Sequence, residues 1–275
     1  MIRSTAKAMA LGAKIRAARE AAGLNQREVC RRTGIHPGTM TRHESGERPP
    51  SEEAAAAILD ALGVEGPERE EILELARDEP ATGSAWLAVG LPEQRVQLDA
   101  LLQIEQLATE IIDVSPLVVP GLLQVSGYTR AIMRGSAVPE SEIETRVAIR
   151  MGRRDILTRA RPVRYTALVG NYVSRQEFGD PAVRTEQAEH LRKMSELPNV
   201  DFRVFPIDSG WHAALAGPFS LITISDGETI VHLENHASGL FIQDRETVAV
   251  FQGVVEQVAE LSVGPELLFE GKERE

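Results

Sequence analysis

Residues 23–50 read GLNQREVCRRTGIHPGTMTRHESGERPP. Asn25 is suited to start a helix at Gln26, and Glu28, three positions on, supplies the reciprocal partner of a capping box. That helix buries Val29 and Cys30 and stops at Gly34. A tight turn, Gly34-Ile35-His36, leads to Pro37 at the first position of another helix, where a missing N–H costs nothing. This helix ends at Gly46, a residue suited to a left-handed cap. Two short helices joined by a glycine-containing turn form a helix-turn-helix unit, whose second helix enters the major groove of double-stranded DNA.

Flanking helices are expected on both sides. Leu11, Ile15, Ala18 and Ala22 recur at steps of three and four, and Gly23 closes that helix. Further helices are expected from Ser51 to Leu62 and from Pro67 to Ala76. Residues 1–79 therefore read as an all-α head of five helices, a DNA-binding domain.

The chemistry of DNA contact follows from position. Asn25 and Gln26 stand at the start of the first helix of the pair, where free amides and the Gln26 side chain hold a phosphate. His36, Pro37, Gly38 and Thr39 form the leading turn of the second. Gly38 lets the backbone come close, and Thr39 or Thr41 offers a hydroxyl or a methyl. Arg42, one turn further, suits a guanine edge or a phosphate. Arg48, beyond the helix, suits a phosphate.

Charge follows the same division. The chain has a formal net charge of −11. Residues 1–50 hold ten Lys/Arg against four Asp/Glu, whereas residues 51–79 hold two Arg against ten Asp/Glu. A basic head on an acidic body is the asymmetry expected when only the head meets nucleic acid. The single cysteine, Cys30, forms no internal disulfide and reads as a small core residue. No apolar run reaches the roughly 18–20 residues of a membrane span, and cytoplasm is the expected location.

The run AKIRAAREAAGLNQREVCRRTGIHPGTMTRHESGERPPS (residues 13–51) resembles the Xre-type helix-turn-helix of the small phage repressors. "GLNQREV", the turn glycine Gly34 and "TRHESGERPP" carry the likeness. It implies DNA contacts at Gln26, Pro37, Gly38 and Arg42, with His36 and Thr39 flanking them. His43 stands where that family has a buried aliphatic residue or tryptophan.

A loop-like break at Pro80–Ser84 marks the expected boundary, with residues 80–275 forming a second domain. Helical patterns are expected over Leu98–Val114, over GLLQVSGYTRAIMRG after Pro120, and over Glu140–Arg159. Strand-like runs follow at Val163–Val169, Val200–Ile207, Phe219–Ser225 and Thr229–Asn235. Helices are also expected at Ala182–Ser195 and Asp244–Ser262. The whole reads as α+β, the second domain a mixed α+β layer with a mostly antiparallel sheet. The arginines at 146, 150, 153, 154 and 159 are expected to pair with carboxylates or line a subunit contact rather than meet DNA.

Two constellations invite an enzymatic reading. His232, Glu234 and His236 alternate along a strand and so share a face, a donor set able to bind zinc or iron. No helical ligand spacing accompanies them, and no metal or other cofactor is expected. Asp208-Ser209-Gly210-Trp211-His212 brings Asp, Ser and His close in sequence, but neighbours so near do not adopt relay geometry and no Gly-x-Ser-x-Gly elbow is present. An effector-binding loop or a structured turn is the better reading, and the chain is not expected to be an enzyme.

"PLVVPGLLQVSGYTRAIM", "RMGRRDILTR", "ELPNVDFRVFPIDSGWHAALAGPFSLITI" and "VHLENHASGLFIQDRETVAVF" resemble the C-terminal domain of the WhiJ-like actinobacterial regulators, over nearly all of residues 86–265. The resemblance implies a regulator whose second domain binds a small protein partner or a small-molecule effector. The expectation is a transcriptional repressor, acting as a homodimer on a palindromic operator. Two alternatives stand beside it: an antitoxin-like or adaptor protein whose DNA binding is autoregulatory, and a metal-dependent enzyme with a DNA-binding appendage.

Overall fold

A computed structural model describes residues 6–77, 85–89, 91–136, 138–208, 210–234 and 238–269. In chain order the elements are α1 (Ala6–Ala21), α2 (Gln26–Thr33), α3 (Pro37–Glu44), α4 (Glu52–Leu62), α5 (Gly66–Ala76), β1 (Ala85–Val89), α6 (Leu91–Leu107) and β2 (Ala108–Ser115). Then come α7 (Ser126–Gly135), α8 (Glu140–Arg153), β3 (Arg164–Gly170), α9 (Pro181–Ser195), β4 (Val200–Phe205), β5 (Phe219–Ile224) and β6 (Thr229–Glu234). β7 (Ser238–Ile242), α10 (Arg245–Leu261) and α11 (Glu266–Phe269) close the chain. Contacts divide it into two units, Met1–Gln106 with Ala237–Gln243, and Leu107–His236 with Asp244–Glu275. The boundary expected near residue 80 lies outside the described residues.

In the first unit the five expected helices are present within a residue or two of their expected ends, except that α1 begins earlier. Leu11, Ile15, Val29, Met40, Ile58, Leu59 and Ile72 are fully or almost fully buried and share one apolar core. Cys30 belongs to it, and burial pushes its thiol above the usual range, as befits a packing residue. α1 lies hard against the end of α3. A Cβ on Gly12 would come within 2.6 Å of the His43 carbonyl oxygen, and one on Gly46, whose φ is +74°, within 2.6 Å of Met9 Cα. The unit also holds a short antiparallel ladder, β1 with β7, with Leu87 in register with Leu240.

In the second unit the strands run in the order β6-β5-β2-β3-β4. β2 and β3 are parallel, with Ile111 opposite Tyr165, as are β3 and β4, with Ala167 opposite Phe202. β5 is antiparallel to both β2 and β6. α7 and α8 carry the chain from β2 to β3, and α9 carries it from β3 to β4, the helical crossovers that parallel pairs require. Among the described residues three ladders are antiparallel and two parallel, and the fold is α+β overall.

Four details depart from the sequence reading. The helix expected from Gly121 begins only at Ser126, after a 3₁₀ turn at Gly121–Leu123. The helix expected over Leu98–Val114 ends at Leu107, and Ala108–Ser115 is the strand β2. Thr109, Ile111, Ile112 and Val114 make that segment β-branched, and it pairs on both edges, which outweighs its helix-like spacing. The helix expected to reach Arg159 ends at Arg153, where a 3₁₀ turn, Arg154–Leu157, buries Ile156 and Leu157. β1 and β7 were not foreseen, being five residues each without polar–apolar alternation.

Candidate nucleic-acid interface

The turn between α2 and α3 is built as its residues dictate. Asn25 Oδ1 accepts from the Glu28 amide at 3.0 Å, and the Glu28 carboxylate accepts from the Asn25 amide at 3.3 Å, completing the expected capping box. His36 Nδ1 accepts from the Gly38 amide at 3.2 Å and so caps α3, with Pro37 in its first turn. Gly34, at φ +74°, ends α2. The Asn25 side-chain oxygen and the Glu28 amide are thereby committed within the head.

Behind α3 sits a buried carboxylate. Glu44 is fully buried and receives Arg19 Nε at 2.6 Å and Arg19 Nη2 at 3.0 Å, one on each oxygen. Gln26 Nε2 donates to it at 2.8 Å, and Arg16 stands 3.6 Å away. Burial pushes the Glu44 carboxyl up, but the hydrogen bonds from Arg19 and Gln26 and the two guanidinium charges outweigh it and hold it below the usual carboxylate range. Gln26, expected to hold a phosphate, therefore spends its amide on Glu44. Its Oε1 lies 3.2 Å from the Thr41 hydroxyl, which also lies 3.1 Å from the Pro37 carbonyl.

His43 is buried, and its Nδ1 donates to the Arg48 carbonyl at 2.6 Å. Burial lowers its pKa below the usual imidazole value, partly offset by that hydrogen bond, so at neutral pH it is an uncharged core residue. The unusual position is packed and satisfied.

The outward surface is formed by the remaining candidates. His36, Pro37, Gly38, Thr41 and Arg42 are exposed and Thr39 is half-buried. Arg42 Nε donates back to the Gly38 carbonyl at 3.2 Å, which lays its side chain along the leading turn. Arg48 is exposed, and its amide bonds the Arg42 carbonyl at 3.1 Å. Among the described residues Arg27, Arg31, Arg42 and Arg48 make no ion pair, in contrast to Arg19. Unneutralised guanidinium groups around an exposed helix start are what a phosphate backbone requires. Sequence reasoning missed the Arg19–Glu44 clasp, although Glu44 is the one acidic residue between Val29 and Gly46.

The enzymatic candidates are described only in part. His232 is buried on β6 opposite Ser220, whereas Glu234 is exposed, and His236 lies outside the described residues. In the 208–212 loop Trp211 is 78% exposed while His212 is buried, its ring edge-on to Phe205 with centroids 5.4 Å apart, and Ser209 lies outside the described residues. In the arginine-rich segment three side chains are tied down: Arg146 to Glu142 at 2.8 Å, Arg150 to Gln124 Oε1 at 3.1 Å and Arg159 to the Ala108 carbonyl at 3.1 Å.

A capped pair of short helices, its second helix exposed and flanked by free arginines, defines a helix-turn-helix domain, the module of DNA-binding regulators. The sequence profile of a helix-turn-helix domain matches residues 10–72, and that of a domain of unknown function (DUF5753) matches residues 98–267. The latter covers more than half of the chain, which belongs to the DUF5753 family. No curated protein matches. Among solved structures, that of TrmBL2, described as an archaeal chromatin protein with a novel mode of DNA binding, is similar at a TM-score of 0.30 and 15% identity, over 83% of this chain and 71% of that one. That likeness is too slight to fix fold or function.

Proposed function

We propose that this chain is a cytoplasmic, sequence-specific transcriptional repressor of the Xre type, reading a palindromic operator as a homodimer through α3. The observation that carries the reading is the division of labour within the head. Glu44, Arg19, Gln26 and His43 lock α3 from behind, while the leading turn and Arg42 stay exposed and free of carboxylates. His36, Pro37, Gly38 and Thr39 approach the bases, Arg42 reads a base edge, Arg48 holds the backbone, Thr41, its hydroxyl engaged by Gln26 and Pro37, presents its methyl, and Asn25 and Gln26 set the angle of α2 over the DNA. One such helix makes few base contacts, and two-fold pairing doubles them. An effector or small protein on the second unit regulates the protein by favouring one arrangement of the paired heads.

The test is genome-wide capture of DNA fragments by the full chain at near-physiological salt, beside Arg42→Ala. A palindromic motif lost in the variant is expected. Diffuse, salt-sensitive binding without a motif would reduce the head to an electrostatic anchor.

A further inference from the structure

The second unit contains a cleft of about 400 Å³ where α7, the end of α8 and α9 meet. Val125 and Ser126 line it from the start of α7, and Met151 and Arg154 from the end of α8. Glu186, Glu189, His190 and Lys193 line it from one face of α9, at the three- and four-residue spacing of a helix.

One buried atom in it lacks a hydrogen-bond partner, and its two cations have no carboxylate among the described residues. His190 Nε2 is shut off from solvent and has no hydrogen-bond partner, whereas buried polar atoms are nearly always satisfied. Among the described residues neither Arg154 nor Lys193 pairs with a carboxylate, and the Arg154 guanidinium reaches only Met151 Sδ at 3.5 Å. The start of α7 has no side-chain cap, so its first-turn amides add partial positive charge.

The walls of the cleft are fixed. Gln187 Oε1 accepts from the Val125 amide at 2.9 Å, and Gln187 Nε2 donates to the Leu123 carbonyl at 2.8 Å. Gln124 bonds the Val119 carbonyl at 2.7 Å and accepts from Thr129 at 2.9 Å and Arg150 at 3.1 Å. This buried amide network joins α7, α8 and α9, so the backbones of the three walls hold their places without a ligand.

We propose that this cleft binds a small organic molecule through one anionic group, which Arg154 and Lys193 neutralise while the half-buried His190 ring turns to bring Nε2 onto it. The exposed carboxylates Glu186 and Glu189 on the same helix face repel a polyanion, which excludes the nucleic-acid backbone and leaves a singly anchored ligand. Val125 and Met151 give its carbon skeleton an apolar surface. Burial and the charges of Arg154 and Lys193 hold His190 at a pKa of about 4, so the imidazole is neutral when it meets the anion. This names the effector class that the regulator reading leaves open and rests on that reading only for its purpose, because binding is measured without DNA.

The experiment follows the imidazole resonances of the full chain by NMR while inorganic phosphate or sodium benzoate is added, with ionic strength held constant by chloride. His190→Gln identifies the signal. A saturable shift of the His190 resonance is expected, with its pKa raised by about one unit in the bound state as the anion offsets Arg154 and Lys193, with Glu186 and Glu189 facing the same ring. Arg154→Gln and Lys193→Gln should each weaken binding roughly tenfold, the loss of one charge-assisted contact, while Arg164→Gln, exposed elsewhere in the unit, leaves it unchanged. Response to benzoate alone assigns a carboxylate ligand, and response to phosphate alone a phosphate monoester. No saturable shift with either probe, or shifts that survive both Arg154→Gln and Lys193→Gln, would overturn the proposal.

Discussion

Arg19 and Glu44, twenty-five positions apart, form a two-pronged ion pair at 2.6 and 3.0 Å, and its carboxylate is fully buried. It joins α1 to the end of α3, and Gln26 brings in α2. Removing one partner from such a pair leaves a desolvated charge, so Glu44→Ala is expected to cost about 3–5 kcal/mol. Thermal unfolding of the full chain measures it, and a loss below about 1 kcal/mol would show the pair to be dispensable.

The contact of α1 with α3 has no room for a methyl group. Gly12→Ala sets a Cβ against the His43 and Glu44 carbonyl oxygens and is expected to cost about 1–3 kcal/mol. Gly46→Ala adds the penalty of a positive φ, about 1–2 kcal/mol more. Melting temperatures of the two variants should fall in that order.

Acid should loosen the protein in two stages. His43 and His190 both have folded pKa values below the usual 6.5, so the unfolded chain binds more protons there. Their contribution is present above pH 6.5 and declines as pH falls through the folded values, about 4 for His190. Glu44, also lowered, contributes above its ordinary value of 4.5 and loses that contribution below it. His43→Asn, whose amide can still donate to the Arg48 carbonyl, should flatten part of the decline below pH 6.5 in a melting-temperature series.

Two arginines separate sequence reading from backbone grip. Arg42→Ala is expected to cost about 1–3 kcal/mol on operator DNA and little on unrelated DNA. Arg48→Ala should weaken both alike and reduce the log–log salt slope by about 1. Titrations on the two DNAs at several salt concentrations resolve the pattern, and equal losses from both variants on both DNAs would assign Arg42 to phosphate.

The buried amides of the second unit should be intolerant of apolar replacement. Gln187→Leu strips partners from the Val125 amide and the Leu123 carbonyl and is expected to cost about 1–3 kcal/mol. Chemical denaturation of the chain checks it.

The head was legible because its signals are local. Asn25 and Glu28 cap within one turn, Gly34 stops α2, and Pro37 starts α3. None of these needs a distant residue to be recognised. Glu44 was not legible as a buried group, because its partners Arg19 and Gln26 lie in two other helices and only packing brings them together. The same holds for Thr109–Val114, whose apolar spacing suits a helix until β3 and β5 pair with it. Gln124 and Gln187 are ordinary polar residues in sequence, and their importance lies in backbone groups that only the fold supplies.

The clasp behind α3 also separates what is fixed in this head from what is free to vary. Arg19, Gln26, Thr41, His43 and Glu44 spend their side chains on one another or on the backbone. Thr39 and Arg42 carry no such duty to another helix, and His36 needs only a cap-competent replacement. On the proposed reading, operator preference is open to rewriting at these three positions while the scaffold stays as it is, which would make this head a ready frame for swapping DNA specificity.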